Sequence, residues 1–569
     1  MPGINLAINF TSEEIVASLK KNAPDNFTPN TIYNVPGRVF LVNHAPKNYP
    51  VQVWKRGEHL AVFEGLIYPF ITKSIENLLF TFFTPKGFDQ DRINEWIANQ
   101  DGEFVILLLD ERKQQALVVS DRFGRLPLYM LKEGRKLMIT RNIGLAKELR
   151  TIPCNDLEGQ AQLLLFGFTL GTKTLWERIE RIKASSSVQI DLLNGRIFEK
   201  RYPFFPQKLA KEPQVSPNIL IESLSTALEN RIKTLPNTAL SLSGGLDSRL
   251  IAALLMKKNI TIPMVTYDDN TLSSQTDVKI ARQLANRLGC STQHEIIELA
   301  EVHRNDVLCL KKIKHGLNGA EMAFIMPFLR TYQINNLTML TGDGGDKTLD
   351  DLRPPIPLTG IGHLIKVLWQ KHGSVDIALV SEILGIDKTA IVNSIKESLL
   401  AYGDLSLEAR YLNFTMQERA MNWLFEGEDR NRHFIWTTTP YYNPDFFDSA
   451  MRLPMHLKKH GGLFSQLFEL LPGSLAELPN PNWHFSIVQK EKLKWMFLKQ
   501  SLKYLMPKKL IIKHYKVDER LNINDFCSNS NDVFFRNDFD KILTKNGNDK
   551  LMMSNTFWNR LFDISINAD

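Results

Sequence analysis

Thr238-Ala239-Leu240-Ser241-Leu242 runs directly into Ser243-Gly244-Gly245-Leu246-Asp247-Ser248, and this stretch decides the fold of the larger part of the chain. A short apolar strand enters a loop with two adjacent glycines, and an apolar helix, Ser248 to Lys257, leaves it. Glycine lets a ligand approach the backbone closely. The first N–H groups of the helix point back at the loop and favour an anion there. Ser243 and Ser248 add hydroxyl donors, whereas Asp247 would repel a phosphate directly. An acid in this place makes sense with magnesium between carboxylate and phosphate. The spacing is not the G-x-x-x-x-G-K-[ST] of the commoner phosphate loop.

Outward from this loop, strands and helices alternate. Ile262 to Tyr267 reads as strand, Thr276 to Leu288 as helix, His294 to Leu299 as strand, Glu321 to Gln333 as helix and Leu337 to Thr341 as strand. Such alternation is the mark of a parallel sheet covered by helices, an α/β fold. The last of these strands opens into Thr341-Gly342-Asp343-Gly344-Gly345-Asp346, a second tight acidic turn. Loops at the carboxyl ends of neighbouring parallel strands meet at the switch point, which would bring Asp247 and Asp346 to one site. From about 360 to 425 the apolar spacing is helical, and the last 50 residues are polar and weakly patterned.

The first 200 residues have a different texture. Asn5 to Phe10, Leu60 to Tyr68, Phe104 to Leu109, Ala116 to Ser120, Val188 to Leu193 and Ile197 to Tyr202 are short runs of branched and aromatic residues, read as strands. Residues 203 to 216 carry three prolines and several charges and read as a linker. The expected organisation is therefore a domain over 1–202, the linker, an α/β domain over 217–520 and an extension over 521–569.

The chain of 569 residues is 43% hydrophobic, enough for more than one core. Its net charge of +7 suits an anionic small substrate and is too weak to argue for nucleic acid. Lys311, Lys312 and Lys314 read as a solvated basic face; Lys508, Lys509, Lys513 and Lys516 form a second cluster. Cys154, Cys290, Cys309 and Cys527 form no C-x-x-C pair, which argues for reduced thiols and against structural zinc. With no signal pattern and no membrane-length apolar run, a cytoplasmic protein without membrane partners is expected.

The SGGLDS loop followed by the TGDGGD loop resembles the synthetase domain of the asparagine synthetase family, whose second loop usually reads S-G-E-G-A-D. Asp277, Ala281, Leu284, Ala285, Leu288, Gly289 and His294-Glu295 match the family's intervening helix and strand. The resemblance implies an ATP-pyrophosphatase domain in which Asp247 and Asp346 hold Mg2+ on the ATP phosphates. It puts Ser243, Gly244, Gly245, Asp247, Ser248, Val265, Thr341 and Gly342 at the nucleotide. It also implies a catalytic lysine after a Leu-Pro or Ile-Pro step; in Met506-Pro507-Lys508-Lys509-Leu510-Ile511-Ile512-Lys513-His514-Tyr515-Lys516 the choice is Lys516, with Lys513 as fallback. In the first domain, Asp101-Gly102-Glu103-Phe104 and Asp121-Arg122-Phe123-Gly124-Arg125-Leu126-Pro127-Leu128-Tyr129 resemble the family's glutaminase half. That implies an Ntn-hydrolase-like αββα sandwich.

Departures from the family bear on function. A working glutaminase of this kind presents Cys at position 2, whose thiolate attacks the glutamine amide; here the residue is Pro2. No R-G-P-D segment is present, and the N-G-E-I-Y place reads Glu64-Gly65-Leu66-Ile67-Tyr68. A silent, structural glutaminase domain follows. Asp343 stands where asparagine synthetases carry Glu, one methylene shorter, and is a candidate for binding an ammonium group or acting as general base.

The expected function is an ATP- and Mg2+-dependent ligase that adenylates a small-molecule, peptide or glycan carboxylate and joins it to ammonia or an amine. A ring-closing enzyme of the β-lactam synthetase or lasso-peptide cyclase type is the alternative, as is a non-catalytic nucleotide-binding relative, although the intact loops argue against the latter. A tRNA-modifying pyrophosphatase fits less well, given the glutaminase-like half and the modest charge. A homodimer is compatible with all of these.

Overall fold

The computed structural model describes residues 1–22, 26–202, 215–334, 338–373, 375–505, 560–561 and 563–564. Lys513, Lys516 and Cys527, most of the expected linker and nearly all of the expected extension lie outside these residues.

The N-terminal domain is a four-layer αββα sandwich. One six-stranded sheet runs Ile179–Ile182, Leu128–Glu133, Lys136–Thr140, Gly3–Ile8, Val39–Ala45, Thr28–Val35; the other runs Ile197–Arg201, Ser186–Asp191, Gln115–Ser120, Gly102–Asp110, His59–Ile67, Val51–Arg56. Every pairing within them is antiparallel. Strand side chains alternate between faces, and the central strands are apolar on both because both faces are covered. In Gly102–Asp110, Val105, Leu107 and Leu109 pack between the sheets. Phe104, Ile106 and Leu108 pack outward against the helices Thr72–Phe80 and Gln90–Asn99.

The other outer face is covered in a way the sequence did not show. Ala7, Phe40, Val42 and Tyr129 pack against the helix Leu157–Phe166. The same core then takes in Leu364, Leu368, Ile391 and Ile395 from the helices Ile361–His372 and Lys388–Leu400. The helical region after 360 is thus continuous with the core of the N-terminal domain.

The second domain holds a five-stranded sheet in the order His294–Glu298, Met264–Asp268, Thr238–Ser241, Thr338–Leu340, Thr437–Thr438, all parallel. Chain order reverses between the third and fourth of these, Thr238–Ser241 and Thr338–Leu340. That is the topological switch point of a doubly wound sheet, where ligand crevices form. The strand Thr437–Thr438 and the helix Arg304–Lys314 carry no pattern that the sequence reading recognised, whereas Phe414–Leu424 falls in the expected helical region and is π-helical. Among the described residues no helix is long and apolar enough to cross a membrane.

Candidate active site

The two glycine-rich loops leave adjacent strands and pack directly onto one another. In the first, Ser248 Oγ accepts from Ser243 N–H at 3.0 Å and donates to its carbonyl at 3.1 Å, while Ser243 Oγ accepts from Gly245 N–H at 3.1 Å. Both serines therefore hold the turn closed. Gly244 N–H donates to Asp277 Oδ1 at 2.9 Å, so that amide is already used by the next helix.

Glycine is needed in the second loop for space. A Cβ at Gly342 would stand 2.7 Å from Ser248 N, and one at Gly345 would stand 2.5 Å from the Asp247 carboxylate. Gly344 has φ +94°, and a Cβ there would strike the Tyr442 ring at 2.5 Å. The second loop can seat itself on Asp247 only without side chains at these points. Tyr441 Oη donates to the Asp247 carbonyl at 2.8 Å, and Thr439 Oγ1 donates to that of Asp343 at 2.8 Å. Both clamps come from the chain after the fifth strand.

Carboxylates crowd this junction. Burial, then Asp346, Asp350 and Asp343, push the Asp247 carboxyl well above its ordinary range. Asp350 is pushed up to about 7 by burial and Asp346, and Asp343 to about 6 by burial and Glu428. Like charges this close raise one another's proton affinity, and a divalent cation would relieve the repulsion. Among the described residues no three His, Cys, Asp or Glu side chains are grouped to hold a metal by themselves. Magnesium bound through one or two carboxylates, phosphate oxygens and water does not require three, so Asp247 and Asp346 fit that ion.

An open cleft of about 470 Å³ lies beside the junction. Ser243, Gly245, Asp247, Ser248, Thr341, Gly342, Asp343 and Asp346 all line it. Gly244 lies just behind the rim. Val265 is buried in the core, with its carbonyl engaged by Leu242 N–H at 2.8 Å, and the neighbouring wall of the cleft is Tyr267.

A dense buried ion network joins the N-terminal region to the helices Arg304–Lys314 and Phe425–Asn431. Ile4 N–H donates to Glu64 Oε2 at 2.8 Å, and Tyr49 Oη donates to Glu64 Oε1 at 2.7 Å. Arg141 pairs with Glu64 at 2.9 Å and also with Asp429. Lys314 reaches Asp429 at 2.7 Å and Glu426 at 2.5 Å, and Glu426 also pairs with Arg181. The sequence reading of Lys311 and Lys314 as a solvated face is therefore wrong: Lys314 is fully buried, because the helix Phe425–Asn431 brings Glu426 and Asp429 against it, and Lys311 is nearly so; Lys312 alone is exposed. Next to position 2, where a glutaminase needs a nucleophile and room for substrate, the Glu64 carboxylate lies so close that a Cβ on Gly3 would meet it at 2.4 Å.

Residues 55–202 match the model of a glutamine amidotransferase domain, and residues 220–350 match that of asparagine synthase. Over about half its length the chain is similar to asparagine synthetases. It is 24% identical over 282 residues to the glutamine-hydrolyzing asparagine synthetase of Mus musculus, covering 46% of this chain and 47% of that one. It is 24% identical over 272 residues to asparagine synthetase 2 of Bacillus subtilis, covering 43% and 36%. Amidase chry2 of Gibberella zeae is 27% identical over 220 residues, covering 34% and 31%. The match thus spans about half the length of these curated relatives or less. A solved glutamine phosphoribosylpyrophosphate amidotransferase from B. subtilis, 8% identical, covers 68% of this chain and 89% of that one with a TM-score of 0.25.

Several cleft residues carry no signal that the sequence reading recognised. Lys347 pairs with Asp346, whose side chain is 49% exposed. Arg419 stacks 3.6 Å over the Trp423 ring, and both line the cleft. Arg430 is buried, lines the cleft and donates to Asn318 and Asn431; burial lowers its proton affinity, and Asp343 partly offsets that. Lys347 could have been noticed, since it adjoins the second loop. Arg419, Trp423 and Arg430 could not, because they lie about 170 residues from the first loop in a segment without a motif.

Proposed function

We propose that the protein is an ATP- and Mg2+-dependent carbon–nitrogen ligase whose N-terminal domain is structural. The observation that carries this reading is the seating of Gly342 and Gly345 against Ser248 and Asp247, which puts two acidic loops at one end of a parallel sheet beside an open cleft. In the proposed first step a carboxylate oxygen attacks the α-phosphorus of ATP, the bond to the β-phosphate oxygen breaks, and pyrophosphate leaves. In the second, an amine nitrogen attacks the acyl carbon, the bond to AMP breaks, and the amine gives up a proton. Asp247 and Asp346 would hold magnesium, which supplies positive charge against the phosphates.

Asp343 lines the cleft with a proton affinity raised enough to accept that proton near neutral pH, or to pair with the amine as ammonium. Arg430, held by Asn318 and Asn431 on the cleft wall, would supply positive charge near a substrate anion. Lys516, or Lys513, is proposed to neutralise charge on the leaving group. Tyr267, Phe328 and Trp423 along the cleft favour a carboxylate on a molecule larger than aspartate.

Pro2 and the ionised neighbours of Glu64 argue that glutamine is not the nitrogen source. Pyrophosphate release from Mg-ATP with a panel of carboxylates is expected to rise with ammonium or an amine and to be unmoved by glutamine. Stimulation by glutamine would overturn the structural role of the N-terminal domain. Gly342→Ala is expected to weaken ATP binding by about tenfold in calorimetry, because the new methyl must part the two loops by several tenths of an ångström. Unaltered affinity would show that the loops need not touch for nucleotide to bind.

A further inference from the structure

A second, narrow cavity lies where the end strands of the two N-terminal sheets meet the segment Phe414–Leu424. It is separate from the cleft, and no residue of either acidic loop lines it. Three cationic side chains do: Arg181, Lys183 and Arg201. Arg181 is 5% exposed, and its Nη1 is taken up by Glu426. Its Nε and Nη2 are buried with no hydrogen-bond partner among the described residues. A buried guanidinium normally finds partners for its donors, so two idle ones leave the positive charge of Arg181 only partly answered beside this cavity.

Lys183 and Arg201 add charge to the same space. Among the described residues neither forms an ion pair with a carboxylate; Arg201 Nη2 donates to Gln417 Oε1 at 2.6 Å. Burial and the nearby Arg201 lower the proton affinity of Lys183, against the smaller opposing pull of Glu418, Glu199 and Glu180. The one acid on the wall, Glu418, is already engaged. It accepts from Tyr402 Oη at 2.6 Å, Gly171 N–H at 2.8 Å and Asn422 Nδ2 at 2.7 Å.

We propose that this cavity is a binding site for a small oxyanion, a phosphoryl or carboxylate group, held by Arg181, Lys183 and Arg201. Such groups accept several N–H donors at once, and charge-assisted hydrogen bonds to guanidinium and ammonium are the strong ones. Gln417, Glu418, Met421 and Asn422 face this cavity, whereas Arg419, Trp423 and Leu424 of the same segment face the cleft. An anion seated here therefore touches the element that forms part of the cleft wall.

The test is calorimetric titration of inorganic phosphate, and separately of succinate, into the full chain in chloride buffer. Saturable binding is expected, weakened about tenfold by Lys183→Gln and by Arg201→Gln. It should be retained in Gly342→Ala, which disturbs only the cleft. Binding of phosphate alone would identify a phosphoryl ligand, and binding of succinate with the same residue dependence a carboxylate. No binding of either probe would overturn the proposal, as would binding that survives both cavity variants or disappears in Gly342→Ala. Lys183 and Arg201 are both partly exposed, so folding should tolerate the substitutions. If a variant melts lower than the parent, Lys183→Arg decides: binding restored by the retained charge supports the site, and binding still lost counts against it.

Discussion

Asp247→Asn is expected to lower ATP-dependent pyrophosphate release by roughly a hundredfold or more while leaving the melting temperature unchanged or higher. The two halves of this result have one cause. Asp247 is held among Asp346, Asp350 and Asp343, and without a bound cation its charge is unfavourable in the fold. Removing that charge relieves repulsion, so stability does not fall. The same charge is what would hold magnesium against the phosphates. A carboxylate that costs stability at a site lined by a second acidic loop fits function better than packing. Steady-state pyrophosphate assays and thermal melts on one preparation check both halves. Full activity in the variant would remove Asp247 from the machinery. Lost activity with a large drop in melting temperature would make it a structural residue instead.

Arg141→Met is expected to destabilise the fold by about 3–5 kcal/mol, the cost of leaving buried charges without a partner. Arg141 is fully buried between Glu64 and Asp429 and also donates to the Pro127 carbonyl at 2.6 Å. Burial alone would push Asp429 up; Arg141 and Lys314 overcome it and hold the carboxyl at about 2. A depressed carboxyl contributes stability that is complete above the unfolded value of about 4 and is lost as pH falls through its folded value. The Asp429 part of the effect should therefore shrink below about pH 4. The measurement is the urea midpoint at pH 7 and at pH 3, compared at equal slope. A shift under about 1 kcal/mol at pH 7 would show that water reaches the network and screens it.

The site was partly legible before any coordinates. Ser243 to Ser248 and Thr341 to Asp346 could be read because a loop that must bend tightly and meet an anion needs glycine, hydroxyls and acid in consecutive positions. Helix and strand periodicity on either side then placed both loops at the ends of parallel strands. Short apolar runs rich in branched and aromatic residues, such as Phe104 to Leu109, marked strands in the first domain because those side chains suit a buried pleated sheet. The helices after 360 were legible as helices but not as partners, since an apolar face does not say what covers it. Lys314 was misread because a lysine cluster looks alike whether it faces water or buried acids 112 to 115 residues away.

Sequence alone determined the α/β character of the second domain and the two loops with Asp247, Asp343 and Asp346. These are properties of consecutive residues, and covalent geometry carries them. Only the tertiary structure decided the rest. It seated Gly342 and Gly345 on Asp247, ran the helices after 360 into the core of the first domain and brought Arg430 to the cleft. It also set Arg181, Lys183 and Arg201 around a second cavity and buried Lys314 among acids. Each of these joins residues distant in the chain, where packing and the cost of burying an unpaired charge choose the neighbour, and no local pattern records that choice.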